Sequence, residues 1–127
     1  CIMVNLRTTP KGTLDKMKQR NAAAPNFIHS LDASHLMFSV IAALDEGIED
    51  FMLIHDSFGT HASDTGTFGY LIREQFVAMY EHFDVMQRLY NATYSQLNDN
   101  SRMSMVDFPA SGDLDLREVL HSHYAFA

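Results

Sequence analysis

Two short stretches hold most of the side chains able to do chemistry. In FMLIHDSFGTH, residues 51–61, His55 and Asp56 follow four apolar residues and run straight into Ser57-Phe58-Gly59. An aspartate at the tip of a tight turn, carried on a buried strand, is held firmly while its oxygens face outward. A hard cation such as Mg2+ asks for that kind of ligand, with room left for water and phosphate. The plain alternative is that Asp56 only favours the turn, as Ser57 and Gly59 do. Spacing alone leaves both readings open, because a lone His-Asp pair is a weak motif.

The second stretch, HSLDASH, sets His29, Asp32 and His35 at i, i+3 and i+6. Neighbouring pairs share a helical face, but i+6 drifts off it. A helical pair of zinc ligands usually sits at i and i+4, so a metal site built from this helix alone is geometrically poor. The simpler expectation is that Asp32 hydrogen-bonds one histidine and fixes its ring. Metal-dependent phosphohydrolases also carry His-Asp pairs, but on helices. The apolar run before His55 is short and bounded by a turn, which favours a strand.

The elements that must position these residues follow from periodicity. Residues 2–8, IMVNLRT, alternate as a strand, broken by Pro10 and Gly12. TLDKMKQRNAAA predicts a short helix ending before Pro25, since the residue before proline is pushed away from helical angles. A new helix over 26–45 is expected to start at Pro25, to be largely buried and to stop at Gly47. Residues 51–62 read as a β-hairpin. Helices follow over 65–83, 84–98 and 115–122, with Asp64 as a cap and Asp115 and Glu118 at capping-box spacing. Their stripes, Phe68 to Phe83 and Val85 to Leu97, are expected core rather than a cofactor box. NDNSRMS and PASGD read as loops. The fold class is α+β: a small antiparallel sheet carrying a catalytic β-hairpin, packed against several helices.

Composition bounds the rest. The 127 residues are 46% hydrophobic and 11% aromatic, enough for a core. No unbroken apolar run approaches the roughly 20 residues of a membrane-spanning helix, so no membrane partner is expected. No basic-then-apolar leader is seen, and the single cysteine, Cys1, cannot form an internal disulfide. The net charge of −7 is uneven: five basic residues against one acid over residues 1–25, four against fifteen beyond. A basic end of this kind is ordinarily a solvated surface, though a patch can contact phosphate on an acidic chain. The chain opens on Cys1, in what reads as a strand already under way, so a piece of a longer protein is expected.

Taken together, PNFIHSLDASHL followed by GIEDFMLIHDSFGTHASD resembles the C-terminal palm part of single-subunit DNA-directed RNA polymerases, the bacteriophage and mitochondrial type. The resemblance covers most of the chain, 1–127, and the closing LDLREVLHSHYAFA looks like the phage branch. Family A DNA polymerases share the palm but carry His-Asp-Glu here, whereas Ser57 follows Asp56.

The resemblance implies that Asp56 is one of two aspartates binding catalytic Mg2+, with His55 supporting it near the primer end. His29 would face the minor-groove side of the newest base pair, and Tyr124 to Ala127 would fold back towards the site. Two ions roughly 3.5–4 Å apart need at least two carboxylates. The family's second aspartate and its Lys/Tyr-bearing fingers helix match nothing in these residues, so the isolated chain is expected to be inactive. The implied partners are a DNA template, nascent RNA, ribonucleoside triphosphates and the remainder of the polymerase, in cis or as a companion chain. The implied location is the cytoplasm of an infected host cell, ahead of a mitochondrion. The alternative is a non-catalytic module with a polymerase-like shape that binds nucleic acid or a partner.

Overall fold

The computed structural model describes residues 14–122. The expected strand over 2–8 and the tail Tyr124 to Ala127 lie outside them. The described chain is mostly helical, with one two-stranded antiparallel sheet. This agrees with an α+β class.

Helix α1 runs unbroken from Lys16 to Asp45. The break expected before Pro25 does not occur: the two predicted helices are one. Proline removes a single N–H and crowds the carbonyl four residues back. That carbonyl belongs to Asn21, on a fully exposed stretch where water can take the place of the lost partner. Asp15 caps the start by accepting from the Lys18 N–H at 3.2 Å.

The end of α1 is a Schellman motif. The Ile48 N–H donates to the Ala43 carbonyl at 2.9 Å and the Gly47 N–H to the Leu44 carbonyl at 3.0 Å. Gly47 takes the left-handed turn this requires, with φ +82°. The motif also delivers Ile48 into the core beside Ala43, where both are buried.

Burial of α1 is confined to His35, Ser39 and Ala43, the face against helix α2 (Thr65–His82). Ile28, Met37, Phe38, Ile41 and Leu44 remain exposed, contrary to the expected all-round burial. Among the described residues, α2 and the hairpin cover only the face of His35, Ser39 and Ala43. By length and composition alone α1 would also pass as a bilayer span, although its apolar residues form no unbroken run.

The core joins α1 and α2 through Ala43, Ile48, Phe68, Leu71 and Ile72, with Phe51, Leu53 and Phe58 of the hairpin packed on it. The predicted α2 stripe is therefore largely core, but Phe83 is exposed. Asp64 precedes α2 without a side-chain capping bond. Helix α3 (Val85–Gln96) is capped by Asp84, which accepts from the Gln87 N–H at 2.8 Å. None of its residues is buried, so the stripe from Val85 to Leu97 is not a core face among the described residues. Tyr90 instead meets Phe108 edge-on at 5.5 Å.

Two local readings change. Asp99–Arg102 within the expected loop forms a helical turn, α4, because Asn98 accepts from the Ser101 N–H. The last helix is a 3₁₀ helix, Leu116–His121, capped by Asp115. It packs on α2, where Arg117 Nε donates to Glu81 Oε1 at 2.9 Å.

Candidate active site at the hairpin tip

Strand β1 (Met52–Ile54) pairs antiparallel with β2 (Ser57–Gly59), in the register Met52 with Gly59, Leu53 with Phe58 and Ile54 with Ser57. His55 and Asp56 are thus the whole loop. A two-residue hairpin loop normally takes positive φ in its first residue, usually with glycine. His55 supplies it at φ 55°, alone among the described non-glycine residues. A side chain accepts a left-handed angle at some cost, and such strain gathers at sites where direction matters.

The strands are not buried as expected. Leu53 and Phe58 turn inward, while Met52 and Ile54 are mostly exposed. The hairpin is firm for other reasons. One face rests on the α1–α2 core. Gly59 lets the strands close up: a Cβ there would sit 3.2 Å from the Met52 carbonyl oxygen. At the open end, the Thr60 hydroxyl donates to the Asp50 carbonyl at 2.9 Å, and His61 Nε2 reaches Asp50 Oδ2 at 3.2 Å.

Asp56 is exposed and makes no hydrogen bond or ion pair to any described residue. It borders three open clefts. One, of about 530 Å³, brings Asp56 and His55 together with His29 and Asp32 of α1. A second, about 240 Å³, lies against Asp32, His35, Phe58 and Tyr80. The third, about 610 Å³, lies between β2 and the first half of α2 and is lined by Arg73 as well. All three candidate residues from the sequence, His29, His55 and Asp56, therefore share one cleft.

His35 has a different part. It is buried, and its Nε2–H donates to the Ile72 carbonyl oxygen at 2.8 Å. A carbonyl only accepts, which assigns the proton to Nε2. The ring meets Phe58 and Phe76 edge-on at 5.7 and 5.6 Å. The bond expected from Asp32 to a histidine is thus not what anchors this ring to α2. Asp32 acts on Tyr80, whose hydroxyl pKa is raised above 10.0 first by burial and then by the Asp32 charge.

No motif in the sequence singles out Tyr80 or Arg73, which line these clefts. The signal for Arg73 was its place directly after the buried pair Leu71-Ile72.

Among the described residues, no three His, Cys, Asp or Glu side chains gather to hold a metal ion. The donor chemistry fits one coordinating position: a hard, uncommitted carboxylate at Asp56.

Residues 2–107 match the family described as DNA-dependent RNA polymerase. The chain is 42% identical, over 96% of its length, to T7 RNA polymerase of Escherichia phage T7, and spans 14% of that relative. It is 41% identical over 90% of its length to DNA-directed RNA polymerase 3, chloroplastic, of Nicotiana sylvestris, and spans 11% of it. Against DNA-directed RNA polymerase 1A of Nicotiana tabacum, identity is 40% over 86% of the chain and 67% of the relative. With most of its residues inside the family match, the chain belongs to the DNA-dependent RNA polymerase family.

Proposed function

We propose that this chain is the C-terminal portion of the palm domain of a phage-type, single-subunit DNA-directed RNA polymerase. On this reading it contributes to template-directed nucleotidyl transfer from ribonucleoside triphosphates. The observation that carries the reading is the exposed, uncommitted Asp56 carboxylate on a two-residue loop, in a chain of this family.

Asp56 would hold Mg2+, as one of the carboxylates the site needs. When bound, the metal supplies charge that lowers the barrier at the attacking 3′-hydroxyl and at the triphosphate. The chain's own contribution is orientation. His55 directs Asp56 outward through its left-handed backbone and stands beside the primer end. His29, across the shared cleft, faces the minor-groove side of the newest base pair. The second aspartate and the nucleotide-handling Lys/Tyr helix come from the remainder of the polymerase, in cis or as a companion chain. The DNA template and nascent RNA then lie over the hairpin tip. A phage polymerase would work in the cytoplasm of the infected host cell. Relatives named as chloroplastic and mitochondrial mark the organelle as the other setting.

Primer extension tests this directly. The 127-residue chain alone should make no RNA, and adding the remainder of a phage-type polymerase as a second polypeptide should restore template-dependent synthesis. Synthesis by the chain alone would contradict its incompleteness. No synthesis with the companion, although the two bind, would leave a non-catalytic module that binds nucleic acid or a partner.

A further inference from the structure

Arg73 has a position that the proposed mechanism does not use. It lies on α2 and lines the cleft of about 610 Å³, with Asp56, Ser57 and Thr60 on the hairpin side and Thr65 and Gly69 on its own helix. Of the described residues lining the three clefts at Asp56, it alone is a lysine or arginine.

Its side chain is fixed in place. Nη1 donates to the Gly69 carbonyl at 2.7 Å. A Cβ at Gly69 would meet Nη1 at 3.5 Å, an ordinary contact, so the bond does not depend on the glycine. Nε is sheltered from solvent and has no acceptor among the described residues. No described carboxylate forms an ion pair with it; the ion pairs present are His61–Asp50, Arg102–Asp99 and Arg117–Glu81. A sheltered guanidinium N–H without an acceptor is costly to keep unless something supplies one.

Among the described residues lining this cleft, Asp56 is the one acid and Arg73 the one guanidinium. A planar guanidinium matches the oxygens of a phosphate group. We infer that Arg73 is a phosphate-binding residue, holding a phosphate of the polynucleotide or nucleotide in the cleft between β2 and α2. This is a different cleft from the one His29 lines. The inference rests on the polymerase reading.

The test uses the whole 127-residue chain and a fluorescent single-stranded DNA oligonucleotide, titrated across a range of salt. Arg73→Gln should weaken binding several-fold and reduce the slope of log affinity against log salt by about 0.7, the change for one single-strand phosphate contact. Arg73→Lys should keep most of that slope. In isotope-labelled wild-type chain, the Arg73 Nε–H resonance should move when the oligonucleotide is added. An equal shift with inorganic tripolyphosphate would mark a nucleotide's phosphates as the source; a shift with the oligonucleotide alone would mark the strand backbone. Either result supports the assignment. Undiminished affinity and slope in a helical Arg73→Gln chain would overturn it while leaving the polymerase reading in place. If that variant fails to fold, the wild-type resonance decides, and no movement with either probe overturns the inference.

Discussion

The buried ring of His35 donates from Nε2 to the Ile72 carbonyl oxygen at 2.8 Å, tying α1 to α2 across 37 residues of sequence. Because the same ring abuts Phe58 of β2, it also fixes the floor of the hairpin that presents Asp56. His35→Ala would open a cavity under that floor and remove the bond. The expected loss is about 2–4 kcal/mol of stability, in the range of other large-to-small core changes. Urea unfolding would read it as a lower midpoint. An unchanged midpoint would mean that the histidine does not join the elements.

Ser39 sits one turn further along the same face, fully buried, with a hydroxyl that finds no partner among the described residues. An unsatisfied buried hydroxyl costs free energy that alanine would not. Ser39→Ala is therefore expected to raise stability by about 1 kcal/mol, and helix propensity adds in the same direction. A lower unfolding midpoint would show that the hydroxyl has a use in the folded chain.

Tyr80 predicts how the fold responds to alkali. Its hydroxyl pKa is raised in the folded chain by burial first and the Asp32 charge second, from an ordinary value of 10.0. Between the unfolded and folded values the folded chain binds more protons, so stability falls as pH rises through that window. The contribution is intact below about 10. Tyr80→Phe should flatten the alkaline decline, and Asp32→Asn should flatten part of it. Urea midpoints measured either side of the window would check both; identical slopes in all three chains would contradict the cause assigned.

His55 carries a left-handed backbone angle, φ 55°, that glycine would take without strain. His55→Gly should keep the hairpin and raise its stability by up to about 1 kcal/mol, by relief of that strain. In a polymerase assembled from this chain and its remainder, the same change should lower RNA synthesis, because the imidazole beside the primer end is gone. Full synthesis would reduce His55 to a turn residue.

The hairpin could be read from the sequence because four apolar residues meet turn-forming ones within a short span, and Gly47 announced the end of α1. Exposure of Asp56 followed from the loop being only two residues long. Other features depend on distant partners. Pro25 read as a break because a local preference was weighed without the exposed helix face that tolerates it. The bond from His35 to the Ile72 carbonyl could not be read, because its partner lies 37 residues away in sequence. The α1 and α3 stripes promised burial that their described neighbours do not supply. Arg73 stands in no motif, and only the fold brings it into a cleft with β2.

The most direct measurement is RNA synthesis by the assembled polymerase with Asp56→Asn. That change removes one charge from an exposed loop that bonds to nothing else described, so the fold should be untouched by circular dichroism. Template-dependent synthesis should fall below detection at every Mg2+ concentration tried. Synthesis at the wild-type rate would remove Asp56 from the metal site and, with it, the function proposed for this hairpin.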